Sequence, residues 1–293
     1  MRILLFISAL LCNLNLCFGQ TAELKKEIEF IVGGKDLKLG FALYVFSTGK
    51  SISINGNDKY LMQSVFKFPI GVALLDCVSR GEFSLSDSVT LTKADLSPDL
   101  WSPIRERWPD GVRLPLVSVM KYMVAQSDNS ATDFLIYKIG GAARIQDIVN
   151  RLGAKKINIR NTEAEIQSSW SVQFDNWTTP NAMVDFLRLM NEGKLLDKAN
   201  TAVLWEIMAS ASTGSINRLV PKTVTFARKT GFSGANSQGI IAAQNDVGII
   251  EFEDGRRVAY AIFLTDSTLG TDAGSGYDIL AQIGKAIWKA YER

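Results

Sequence analysis

Strand-like patterns near both ends of the chain flank a long stretch of helical periodicity, Ser64 to about Met208, and no other feature limits the fold as much. At the front, Gly40–Phe46 and Ser51–Asn55 read as a hairpin across the polar turn Ser47-Thr48-Gly49-Lys50. Strand patterns return at Val224–Lys229, Gly239–Phe252 and Val258–Thr265, with Glu253-Asp254-Gly255 as a tight turn. Leu24–Val32, stopped by Gly33-Gly34, and Tyr277–Tyr291 read as terminal helices. Between the strand groups, Ser64–Ser79, Leu116–Ala125, Ser130–Ile139, Ala142–Leu152, Thr179–Met190 and Ala199–Ala209 are helical, and strand signals are scarce. The expected fold is therefore α/β (α+β). An antiparallel sheet built from both chain ends carries the terminal helices, and an all-helical domain is inserted into it. The expected boundaries are 20–60 with 212–293 for the α/β domain and 61–211 for the helical one, with the site in the cleft between them. Lys155–Trp177 alone is long and aperiodic, which marks a functional or disordered loop.

Residues 1–19 carry one charge, Arg2, then the apolar run Ile3–Leu11 and the small residues Cys17 and Gly19. This reads as a secretory signal peptide cut before Gln20. A membrane anchor needs roughly 18 or more apolar residues, and Asn13 and Asn15 interrupt the run well short of that. Lipid attachment is disfavoured because Leu11 precedes Cys12 and Leu16 precedes Cys17. Cleavage leaves Cys77 alone in an oxidising compartment, inside the apolar run Val72–Val78, where a buried thiol is expected and no internal disulfide is possible.

Histidine is absent from all 293 residues. That removes Ser-His-Asp and Cys-His hydrolases and most zinc hydrolases, so hydrolysis must run on lysine or carboxylate. No metal and no cofactor is expected. A net charge of +2, without a basic run, favours a small neutral or anionic partner over nucleic acid or a membrane surface.

Ser64-Val65-Phe66-Lys67 puts a hydroxyl and an amine three residues apart where a helix begins, so both face the same side. A lysine can activate that serine only if burial or another cation lowers its pKa, and Lys229 is a candidate for the second charge. Alone, a serine and lysine so spaced occur about once by chance in a chain of this length. Ser127-Asp128-Asn129, between two helices, and Lys229-Thr230-Gly231, at the end of an apolar strand, supply further polar groups that can converge.

Three such motifs in this order resemble class A β-lactamases, and the resemblance spans nearly the whole mature chain. It implies the β-lactamase/transpeptidase-like fold, hydrolysis of penicillins and cephalosporins through a serine acyl-enzyme, antibiotic resistance, and a monomer that is periplasmic or secreted. It makes Ser64 the nucleophile, Lys67 the first-motif lysine, Ser127 the hydroxyl that passes a proton to the departing nitrogen, and Lys229 the cation beside it. It further implies that Asn129 holds the substrate amide, that Thr230 helps hold the carboxylate, and that Asp128 is structural. The backbone N–H groups of Ser64 and Phe232 match the oxyanion hole, and Gly231 and Ser233 belong to the same substrate-facing strand end. Trp101 matches an aromatic at the cleft mouth, where a flat ring packs on a ligand or covers a helix.

Penicillin-binding proteins share the three motifs but lack a carboxylate that activates water, so the loop from Lys155 to Trp177 must decide. In Asn161-Thr162-Glu163-Ala164-Glu165-Ile166-Gln167, Glu163 matches the family's general base and Glu165 is the decoy; the distance to Pro180 agrees. Gln167 stands where an asparagine commonly helps hold the water. Asn161 and Asn176 replace a common arginine–aspartate bridge, and Asp133 replaces a frequent asparagine near Glu163. These departures resemble an extended-spectrum subgroup with a remodelled loop. Gln238 stands where an arginine commonly meets the substrate carboxylate, and Arg218 is the replacement the sequence suggests.

Overall fold

The structure is a computed structural model that describes residues 21–268 and 275–292. The segment expected to be a signal peptide, with Cys12 and Cys17, lies outside the described residues. The first elements are α1 (residues 21–32), β1 (Lys38–Val45), β2 (Lys50–Ile54) and β3 (Tyr60–Leu61). A 3-10 turn, Gln63–Phe66, then leads into α2 (Lys67–Ser79). The middle of the chain holds β4 (Ser88–Thr92), α3 (Pro103–Arg107), β5 (Gly111–Pro115), α4 (Leu116–Ala125), α5 (Asn129–Ile139) and α6 (Ala142–Arg151). Next come β6 (Ile157–Asn158), α7 (Glu163–Ser168), β7 (Trp177–Thr178), α8 (Pro180–Asn191) and α9 (Lys198–Ala209). The chain ends with β8 (Thr225–Phe232), β9 (Gln244–Glu251), β10 (Arg257–Thr265) and α10 (Gly276–Tyr291).

The two ends of the chain meet in one antiparallel sheet of order β2-β1-β10-β9-β8, as the sequence order requires. Side chains alternate across it, so each face has its own core. Phe41, Leu43, Ile250, Tyr260 and Ile262 point toward α1 and α10 and pack with Leu24, Ile28, Ile283 and Ile287. Ala42, Ala227, Val247, Ala259 and Phe263 point the other way, into a larger core shared with the helical region. The small residues on that face let α8 and α9 lie close against the sheet.

At the centre of the helical region α2 is apolar on all sides, and every residue from Lys67 to Cys77 is buried. A helix of that composition is stable only when enclosed. Enclosure is what desolvates Lys67 at its first position. Cys77 is buried as expected, and burial pushes its thiol above the ordinary range.

The region expected to be all-helical is not. β4 and β5 form a two-stranded ribbon, and β3, β7 and β6 form a small three-stranded sheet. Each β4 and β5 strand spans five residues, and β4 buries only Val89 and Leu91, too short a pattern to stand out from the sequence. The stretch Lys155–Trp177 also has structure of its own. Thr162 and Glu165 form a capping box, each side chain bonding the other's backbone N–H, and this starts α7.

Candidate active site

Gln63 takes a left-handed φ of +45°, which turns the chain so that Ser64 lies at the cleft surface while Lys67 enters the core. Such strain in a non-glycine residue is kept only where surrounding contacts hold it. The Lys67 Nζ donates to Ser64 Oγ at 3.0 Å, to Ser127 O at 2.9 Å and to Asn129 Oδ1 at 2.5 Å. It also lies 2.8 Å from the Glu163 carboxylate, with both side chains sealed from solvent. A buried cation is tolerated only when paired and hydrogen-bonded, and this one meets both conditions.

Ser127 is a second strained position, with φ +58°. Asp128 locks this corner: its carboxylate accepts the Ala131 N–H, which caps α5, together with the Ile104 N–H and the Ser102 hydroxyl. Ser127 Oγ thereby stands between two amines, Lys67 Nζ at 3.3 Å and Lys229 Nζ at 3.0 Å. Lys229 is fully buried on β8 and also donates to Thr230 O at 2.8 Å. Burial pushes its ammonium well below the ordinary range, and the nearby Lys67 charge pushes the same way.

Glu163 arrives on the loop, 99% buried. Asp133, on α5, holds it there through the backbone: one carboxylate oxygen accepts the Glu163 N–H at 2.6 Å and the other accepts the Ala164 N–H at 2.9 Å. Burial pushes the Asp133 carboxyl up to about 6, against the pull of those two N–H groups. The asparagines that replace an ionic bridge do span the loop: Asn176 Oδ1 accepts the Asn161 N–H at 3.0 Å, and Asn176 Nδ2 donates to Asn161 O at 2.9 Å. A buried bond from Gln63 Nε2 to Gln173 Oε1, 2.7 Å long, ties the loop back to the Ser64 turn. Glu165 is exposed and occupied with its cap.

These groups surround a cleft of about 340 Å³. Ser64, Ser127, Asn129 and Gln167 line it, and so do Thr230, Gly231, Phe232 and the exposed ring of Trp101. Gly231 is required by close approach. A Cβ there would come within 2.5 Å of Met62 O and 3.2 Å of Val65 N, so only glycine lets the end of β8 lie against the Ser64 turn.

Lys67, Glu163 and Lys229 lie buried behind the cleft wall, and two of the residues expected to bind substrate are not in it. Arg218 is half-exposed, and its guanidinium is engaged by Asp278 on α10 instead of lining the cleft. Ser233 turns its hydroxyl to Gly234 O and to the Ala243 N–H, which closes the strand end instead of facing a ligand. In the other direction, sequence reading missed Thr213, whose hydroxyl meets that of Thr230 at 2.7 Å, and Gly214 beside it. It also missed Tyr277, whose ring packs on Phe232 at 5.9 Å. Thr213 and Gly214 lie in the polar Ser212–Ser215 link between α9 and β8, and only its polarity hinted at a role.

The fold and the cleft together bring a serine, two buried lysines and a buried carboxylate to one site. The chain belongs to the β-lactamase enzyme family, whose family model matches residues 23–291, and it is a class A enzyme, a hydrolase of β-lactams. It is similar to β-lactamase VEB-1 of Pseudomonas aeruginosa, with 35% identity over 99% of this chain and 97% of that protein. Extended-spectrum β-lactamase PER-1 of Pseudomonas aeruginosa is 32% identical over 92% of this chain and 88% of its own length. Among solved structures, a β-lactamase from Chitinophaga pinensis superposes with a TM-score of 0.88 at 34% identity, covering 92% of this chain and 99% of that one. No helix among the described residues is long and apolar enough to cross a membrane.

Proposed function

We propose that Ser64 opens the β-lactam ring and that Glu163 directs the water that frees the product. In acylation Lys67 first gives a proton to the Glu163 carboxylate it is paired with; the Ser64 oxygen then attacks the lactam carbonyl, and its proton passes to the freed Lys67 amine, the one in direct reach of it. The C–N bond then breaks, the nitrogen leaves with a proton from Ser127, which the flanking Lys67 re-supplies, and Glu163 returns its proton to Lys67. Backbone N–H groups of Ser64 and Phe232 take the charge that develops on the carbonyl oxygen, a role in which one donor is typically worth about 10²–10³ in rate. In deacylation Glu163 takes a proton from water, the hydroxide attacks the ester carbonyl, and the proton returns to the Ser64 oxygen as it departs.

The observation that carries this reading is the buried Lys67–Glu163 pair within hydrogen-bond reach of Ser64. A penicillin-binding carboxypeptidase has no use for such a carboxylate. Purified protein should turn over a chromogenic cephalosporin, and Glu163→Ala should accumulate a covalent adduct on Ser64 by mass spectrometry. Multiple turnover by that variant at the wild-type rate would overturn the assignment.

Extended cephalosporins are proposed substrates, on the strength of the extended-spectrum relative and of the unusual loop ties at Asp133, Asn161–Asn176 and Gln63–Gln173. Ratios of kcat/KM for penicillins and extended cephalosporins test this; a ratio that strongly favours penicillins removes it. The proposed setting is a monomer exported to the periplasm or secreted after cleavage before Gln20. N-terminal sequencing of exported protein checks the cut.

A further inference from the structure

Among the described residues no charged side chain lines the cleft wall, the Lys229 amine standing buried behind Ser127, yet penicillins and cephalosporins carry a carboxylate one carbon from the lactam nitrogen. With that nitrogen at Ser127, the carboxylate falls toward Thr230 and Thr213, because Lys229 bridges Ser127 Oγ and Thr230 O. Arg218, engaged with Asp278, does not supply a countercharge.

Beneath that spot lies a different arginine. Arg228 and Thr230 project from the same face of β8, opposite to Lys229, and Thr230 is paired across the ladder with Asp246. Arg228 is 95% buried; one guanidinium nitrogen donates to Asn217 Oδ1 at 2.8 Å, a neutral partner, and its Nε has no hydrogen-bond partner among the described residues. Asp246 is fully buried; one oxygen accepts the Tyr260 hydroxyl at 2.8 Å and the other, Oδ2, has no hydrogen-bond partner among the described residues. Gly214 is the thin cover over both. A Cβ on it would come 2.7 Å from Thr230 Cγ2, 3.0 Å from Asp246 Oδ2 and 3.5 Å from the Arg228 Cζ, and φ there is +98°.

Resting on the β-lactam reading above, we propose that Arg228 attracts the substrate carboxylate from under the Gly214–Thr230 floor, and that Asp246 sets how much of its charge is felt. Arg228 is a positioning residue, acting across the floor without touching the ligand. A guanidinium is a permanent cation. Little dielectric separates it from the cleft, and weak screening preserves its reach. Among the described residues, the charged and titratable groups acting on Asp246 are Arg228 on the same face of β8, Tyr260 on β10, and Lys229 from the opposite face of β8. Burial pushes the Asp246 carboxyl up to about 6. Above that pH its charge offsets Arg228, and below it the floor is more positive.

The test compares a chromogenic cephalosporin acid with its methyl ester, reading the ratio of their kcat/KM values, which is independent of deacylation. Arg228→Met should lower the wild-type acid-over-ester preference about tenfold, and Arg228→Lys should restore most of it. In the wild type the preference should rise severalfold from pH 7.5 to pH 5.5, and Asp246→Asn should show the high value at both. A preference unmoved in Arg228→Met overturns the proposal. If that variant does not fold, an Asp246→Asn protein with the wild-type pH trend overturns it instead. Failure of the wild type to turn over the acid at all rejects the β-lactamase mechanism, a separate result.

Discussion

The Lys67 ammonium and the Glu163 carboxylate lie 2.8 Å apart with neither open to solvent, although their residues are nearly a hundred positions apart in the chain. Because Lys67 also reaches Ser64 Oγ, the pair links the lysine proposed to take the first proton to the carboxylate proposed to activate water.

Truncating each partner should therefore stop the reaction at a different step. Glu163→Ala should keep a burst of acylation but lower kcat by about 10²–10⁴, since water loses its base. Lys67→Met should lose the burst as well, because the only amine touching Ser64 Oγ among the described residues is gone. Rapid-mixing kinetics with a chromogenic cephalosporin separates the two; equal bursts would contradict the division of roles.

Asp133 predicts a pH dependence. Its carboxyl stands at about 6 in the folded protein against an ordinary 3.8. The folded state thus holds the proton more tightly, so this group's contribution to stability is fully present below pH 3.8 and is lost as pH rises through 6. The difference is roughly 3 kcal/mol across that window. Denaturant unfolding at pH 4 and pH 7.5 should show that much less pH dependence in Asp133→Asn than in the wild type. An unchanged slope would refute it. Activity should run the other way: once protonated, Asp133 holds the α7 backbone less firmly, and kcat should decline below about pH 6.

How much of this was legible follows from where the information lies along the chain. The sheet, its closing helices and the three motifs are local patterns, and each was readable within a few residues of itself. Glu163 was readable because the loop around it has a recognisable length, and Asp133 because it stands where the family frequently has an asparagine. Arg218 was misjudged because its partner, Asp278, lies 60 positions later, and only the folded chain brings them together. Ser233 was misjudged because the strand alternation ends at Phe232 and the next hydroxyl closes a turn. Arg228 carried no signal at all, since nothing local distinguishes a charge that ends beneath a cleft from one that ends in water.

Gly231→Ala should damage stability and turnover together. The added methyl would meet backbone atoms, Met62 O and Val65 N, and neither can move without shifting Ser64. A cost of about 2–3 kcal/mol is typical of such overpacking, which in a chain of this size lowers Tm by roughly 4–10 °C. Thermal unfolding and kcat/KM measured on the same preparation test it. A variant with wild-type Tm and activity would show that the strand end has more room than its contacts imply.

Arg218→Gln provides the contrast. The pair it forms with Asp278 is partly exposed, and such pairs contribute about 0–1 kcal/mol. Unfolding free energy should therefore change by less than about 1 kcal/mol. More telling is the cephalosporin acid-over-ester preference. It should stay within about twofold of wild type in Arg218→Gln while it collapses in Arg228→Met, because both changes remove one positive charge from the same side of the molecule and only Arg228 lies under the floor. A collapse in Arg218→Gln instead would mean that the exposed guanidinium leaves Asp278 and swings over the cleft when substrate binds, and the carboxylate partner would then be the one the sequence first suggested.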